Sequence, residues 1–210
     1  LVPRSVTRPV ECWQPIVSAS QRGLDLMAKY GIKGIIGGGA AVGGAAERTV
    51  LAWQNALARI GRQTELGEDL AIGFSVHIAD TQKQAIREAS RFFEENMKMF
   101  APLGFVRGLT DEQISALSDR KKASLAGLPT IKDAVEAGAW LCGPPEHIVE
   151  RLGEVQEKFP GLKYVNVGSV VGTPQNIVLE QLELFGKEVM PVFKNAACRF
   201  SPSDEQTRNN

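Results

Sequence analysis

Ser18, Ser20, Arg22 and Gly23 fall within one short stretch, and Gly37, Gly38 and Gly39 follow after an amphipathic segment. Small hydroxyls, a cation and bare backbone suit an anion, above all a phosphate, because main-chain N–H groups and a helix start can then approach it. The glycines are not followed by Gly-Lys-Ser/Thr and form no well-placed G-x-G-x-x-G, so neither a nucleotide-triphosphate loop nor a dinucleotide fingerprint is present. Plainer readings compete. Ser18 and Ser20 also suit caps for a helix over 21–30, Arg22 suits solvated surface, and the glycines suit a loop that needs positive φ.

Other chemistry is thinly represented. His77 sits inside an apolar run and His147 in the first turn of a helix, and both read as structural. Cys12, Cys142 and Cys198 are far apart and lack metal-ligand spacing, which fits reduced thiols and a cytoplasmic setting. No Ser-His-Asp set, carboxylate pair or metal set stands out, so catalytic residues stay unassigned.

The elements that must position these residues alternate. Short strands are expected over 15–18, 33–37, 70–79 and 162–168, with helices over 21–30, 47–60, 82–100, 143–159 and 176–193. The order is strand–helix four times with no hairpin signal, which dictates parallel strands and right-handed crossovers. Periodicity alone leaves open a small sheet or half of an eight-unit barrel. The 24 basic and 24 acidic residues balance, so nothing points to nucleic acid. No apolar run has the roughly 18 residues of a membrane span, and the start lacks the order of a signal peptide.

Three segments carry a family resemblance. "RPVECWQPIVSASQRGLDLMAKYG", "VHIADTQKQAIREA" and "CGPPEHIVERLGEVQEKFPGLKYVNVGSVVGTPQNIVLEQLELFGKEVMPVFK" resemble, in order, parts of the bacterial luciferase-like flavin monooxygenases. The resemblance runs from Arg8 to Lys194 and implies the C-terminal half of a (β/α)8 TIM barrel, strands five to eight. Such a barrel takes about 250 residues, so the first half is expected from elsewhere: a missing N-terminal half or a homodimer partner. Residues 1–5 look like a linker remnant, 6–194 the half-barrel, 101–138 an insertion after strand seven, and 195–210 a polar tail.

The resemblance also implies reduced FMN as cofactor, with deazaflavin as runner-up. Ser20 falls on the family's phosphate-contacting serine, and Gly23 falls where relatives often add a hydroxyl. Ser18, Arg22, Gly37 and Gly38 complete the expected cofactor set, the glycines forming a floor for a flat ring. The implied activity is a monooxygenase that uses O2 on a small organic substrate, with a separate flavin reductase as partner. Two alternatives stay open: a deazaflavin-dependent dehydrogenase and a half-barrel that binds without catalysing. Arg120, Lys121 and Lys122 in the insertion could meet an anionic substrate or simply be solvated.

Overall fold

The computed structural model describes residues 10–17, 19–37, 45–103, 110–116, 119–123 and 126–197. Its strands are β1 (Trp13–Pro15), β2 (Lys33–Ile36), β3 (Leu70–Ile78), β4 (Trp140–Gly143) and β5 (Tyr164–Gly168). The helices are α1 (Gln21–Lys29), α2 (Ala45–Arg59), α3 (Gln82–Phe100), α4 (Asp111–Ala116), α5 (Arg120–Ala123), α6 (Ile131–Glu136), α7 (Pro145–Lys158), α8 (Gln175–Leu184) and α9 (Met190–Ala197).

All strand pairs are parallel, and the order β1-β2-β3-β5 is sequential apart from β4. Ala71 and Ile72 pair with both β2 and β5, so those neighbours lie on opposite edges of β3. This is the strand order expected of the second half of a (β/α)8 barrel. Two corrections apply. The first strand ends at Pro15 rather than starting there, since no N–H at residue 15 is needed on its open side. A further strand, Trp140–Gly143, was not anticipated; its four residues are too few for a period to show, and it pairs with the tip of β3 over Ser75–Ile78.

Alternation along β3 separates two faces. Leu70, Ile72, Phe74, Val76 and Ile78 join Trp53, Leu57, Ile148 and Leu152 in the main core beneath α2 and α7. On the other face His77 and Cys142, a registered pair, meet a second core built by Ala85, Ala89, Phe93 and Met97 of α3 with Ile131 of α6. Burial there pushes the Cys142 thiol up to about 12, which makes it inert at neutral pH. Two helices start on capped turns: Thr81 accepts from Gln84 N–H, and Thr130 and Asp133 make a reciprocal capping box.

The open face curls on itself. Trp13 of β1 and Tyr164 of β5 belong to the two outermost strands of the four-strand path, yet their rings lie edge to face at 5.3 Å. Lys33 sits over the Trp13 ring at 5.2 Å and pairs with Glu11 at 2.6 Å. Asp69, with φ of 58°, holds Lys33 and Arg62 below the same strand ends. This layer closes the N-terminal end of the half-barrel.

Gly34 makes room for its neighbours in the sheet. A Cβ there would lie 2.5 Å from Ile16 Cδ1 and 2.6 Å from Leu70 Cδ2. Gly34→Val should therefore lower unfolding free energy by about 1–3 kcal/mol or more in urea melts, as overpacked cores do. An unchanged midpoint would mean that those two side chains yield freely.

Candidate functional site

The site is built from two neighbouring strand ends. β1 runs out after Pro15 into Ile16, whose N–H still bonds to Ile35 of β2, and the chain then turns at Ala19 and Ser20 into α1. The Ser20 backbone is extended, with φ −67° and ψ 132°, and its carbonyl accepts the first intrahelical bond from Leu24 N–H at 3.0 Å. Ser20 is thus the N-cap by position. Its side chain makes no capping bond, however.

The hydroxyl leans over Gly23 instead. A Cβ on Gly23 would lie 2.9 Å from Ser20 Oγ, so the glycine opens the space that the hydroxyl occupies. Ser20 O takes the N–H of Leu24, which leaves the N–H groups of Gln21, Arg22 and Gly23 at the helix mouth. No acidic residue stands in that first turn. The nearest carboxylate on the helix, Asp25, is taken up by Gln21 at 2.8 Å and by Arg59 of α2 at 2.7 Å. The Gln21 bond, with the guanidinium next, holds its pKa below the usual carboxylate value. The start of α1 therefore keeps its partial positive charge uncompensated.

Arg22 is exposed and pairs with no carboxylate among the described residues. Gly37 is exposed just beyond β2, and an added Cβ there would meet nothing within 4 Å. The structure thus brings Ser20, Arg22, Gly23 and Gly37 to adjacent strand ends. Ser18 and Gly38 lie outside the described residues. The same strand-end side carries Gly168, the last residue of β5, and Ser169 just after it.

His77 does not join this group. Its ring is buried, Nε2 lies 3.1 Å from Glu88 Oε2, and Phe92 packs beside it. His147, in the first turn of α7, lies where a Cβ on Gly143 would collide with it at 2.8 Å. Each histidine thus has a side-chain partner, Glu88 for His77 and Gln82 for His147. Among the described residues no cluster of His, Cys, Asp and Glu could hold a metal, and no helix is long and apolar enough to cross a membrane.

One polar residue that sequence reading passes over is central to the architecture. Gln181 is buried, its Oε1 accepts from Ile78 N–H at 2.5 Å and its Nε2 donates to Ile78 O at 3.0 Å. β5 leaves β3 at Ser75, and the carboxamide supplies the pairing that a strand would give at Ile78. The clue is a glutamine at a core phase of α8, between Ile177 and Val178 on one side and Leu184 and Phe185 on the other. A π-helical turn over Phe185–Val189 then re-phases the chain so that Val189 and Phe193 reach the main core.

Comparison with known proteins places this geometry. The monooxygenase RslO1 from Streptomyces bottropensis superposes with a TM-score of 0.65 at 16% identity, over 91% of this chain and 51% of that one. The oxygenating constituent of 3,6-diketocamphane monooxygenase from Pseudomonas putida, solved in complex with FMN, gives 0.60 at 19% identity, over 86% and 48%. Flavoprotein 390 gives 0.53 at 10% identity, over 93% and 71%. The chain thus spans about half the length of the first two structures. No curated protein matches it. The family model described as luciferase-like monooxygenase matches residues 1–160. The chain belongs to the luciferase-like monooxygenases.

Proposed function

We propose that this chain supplies the phosphate-holding half of a flavin-dependent monooxygenase that uses reduced FMN and O2 on a small organic substrate. The observation that carries the reading is the start of α1: a Ser20 hydroxyl that makes no capping bond, over a side-chain-free Gly23, at a first turn with no acidic residue. These residues fit a phosphate monoester. Ser20 Oγ and the first-turn N–H groups donate to its oxygens, Arg22 lies within the same turn, and the helix dipole favours the negative charge. The flavin, when bound, supplies the electrons that activate O2.

The rest of the chain does the positioning. Gly37 keeps the end of β2 free of a side chain, so a flat ring can pass over it. α3 and the second core close the far side, where the loop after β5 approaches α3 through Gly172 and Glu95. With no dinucleotide fingerprint, reducing equivalents reach the flavin through a separate flavin reductase.

Titration with FMN and with riboflavin, followed by flavin fluorescence, tests the reading. FMN should bind at least about tenfold tighter, since a charge-assisted phosphate contact contributes about 1.5–3 kcal/mol. Equal affinities would remove the phosphate from the start of α1.

A further inference from the structure

The chain has three tryptophans, and their indole N–H groups are not alike. Trp13 donates to Glu11 Oε1 at 3.0 Å, and Trp53 donates to Glu68 O at 3.0 Å. Trp140 of β4 is only 8% exposed, yet its N–H donates to nothing among the described residues. A buried tryptophan normally finds a partner for this group, because the N–H has given up its bond to water.

The nitrogen is not sealed in. Thr64 Oγ1 is the one fully buried side-chain polar atom without a partner among the described residues, so the small open part of Trp140 includes its N–H. The rest of the ring is covered from within the chain. Phe93 of α3 stands edge to face with it at 5.5 Å, and the second core encloses it.

The register shows what surrounds this donor. Trp140 pairs with Ser75 of β3, and Ser75 pairs with Gly168 of β5. Registered partners in a parallel sheet carry their side chains on one face, so these residues form a row on the face away from α2 and α7. The Ser75 hydroxyl, half-buried, also makes no hydrogen bond among the described residues. A Cβ on Gly168 would meet nothing within 4 Å, so the row opens into space at the strand ends. Neighbouring strands lie about 4.8 Å apart, which sets the indole and the hydroxyl within reach of one shared atom. His77, further along the same face, is already taken up by Glu88.

The chemistry of the row narrows its ligand. An indole N–H only donates, and a serine hydroxyl can donate beside it. No charged side chain belongs to the row. Two adjacent neutral donors suit an uncharged acceptor with two lone pairs, and a carbonyl oxygen is that acceptor.

We propose that Trp140 Nε1–H and Ser75 Oγ–H together hold a carbonyl oxygen of a ligand bound at the strand ends. The ligand's identity rests on the monooxygenase reading, which offers two sources: a ring carbonyl of the flavin, or a carbonyl group of the organic substrate. Trp140 then sets specificity, since a site built on donors disfavours a ligand that lacks the matching acceptor.

Nuclear magnetic resonance of the isotope-labelled chain tests this, because each indole N–H gives its own signal and W140F identifies that of Trp140. One arm titrates cyclohexanone, a carbonyl compound with no other polar group; the other titrates FMN. At least one of them should move the Trp140 signal in the hydrogen-bonded direction, while the signals of Trp13 and Trp53 stay with their internal partners. W140F and S75A should each weaken that ligand by about three- to tenfold, as loss of one hydrogen bond does. S75A removes a single oxygen and serves where W140F disturbs the core. A shift with cyclohexanone alone assigns the site to a substrate carbonyl, a shift with FMN alone assigns it to the flavin, and a shift with both supports one site that takes either. A Trp140 signal that neither ligand moves overturns the proposal and leaves water as the partner. Unchanged affinity in both variants overturns it too. Flavin fluorescence of the same samples keeps the two readings apart. FMN that binds while neither ligand moves the Trp140 signal defeats this proposal alone, whereas a chain that ignores FMN defeats the flavin reading and leaves the ketone arm to decide on Trp140.

Discussion

Q181L should lower the unfolding free energy by about 2–6 kcal/mol, because two buried backbone groups each lose a partner at about 1–3 kcal/mol. Leucine has nearly the volume of glutamine, so the main change is chemical: Ile78 N–H and C=O would face an apolar side chain beyond the point where β5 has left β3. Q181E should be intermediate, since a carboxylate still accepts from Ile78 N–H while its other oxygen confronts Ile78 O. Urea unfolding monitored by far-ultraviolet circular dichroism measures both. Amide exchange at Ile78 localises the effect: its protection should collapse in Q181L while residues at the start of β3 keep theirs. A loss below about 0.5 kcal/mol would mean that water replaces the carboxamide at the tip of β3.

The second large effect concerns the phosphate. S20D puts a carboxylate where the Ser20 hydroxyl stands free of any capping bond. Two unit charges about 4 Å apart at an effective dielectric near 20 repel by about 4 kcal/mol, and exposure at Ser20 reduces this. FMN affinity should fall by roughly tenfold to a hundredfold, and riboflavin, which lacks the phosphate, should change little. Aspartate is itself a good N-cap, so the melting temperature should hold or rise. Ligand loss and stability would then move in different directions, which unfolding of the site cannot produce. Equal weakening of both flavins would return Ser20 to the role of a helix boundary.

The parts that were legible from the sequence are those set by local rules. The four strand–helix units, the glycine after α1, the capped turns at Thr81 and Thr130 and the proline-led α7 all follow from periodicity and terminal residues. The resemblance to the luciferase-like monooxygenases named the family that the comparison then showed. What escaped was set by distance. β4 is a strand only because the tip of β3 outruns β2 and β5 and leaves an edge for Trp140–Gly143. Gln181 shows in the sequence only as a glutamine at a core phase of α8, and its partner Ile78 lies far away in the chain. Gly34 looks like a flexible point and is instead a packing requirement, fixed by Ile16 and Leu70 on adjoining strands. Ser20 was read both as a cap and as an anion ligand; its hydroxyl is free of the capping bond, and the anion role remains a proposal for the titrations.

The Trp13–Tyr164 contact has a consequence in time. It joins the first strand of the sheet to the last, so the bottom layer cannot form while the chain between them is still being made. Contacts so distant in sequence slow folding, because loop closure precedes any gain from them. At about 5–20 residues per second of synthesis, β1, β2 and β3 wait several seconds for β5 to emerge. During that interval Trp13 and Lys33 stand over an open sheet. Trp13 is therefore a built-in clock: its fluorescence should change in the slowest refolding phase, after the helices have formed, and Y164A should remove that phase without delaying the earlier ones.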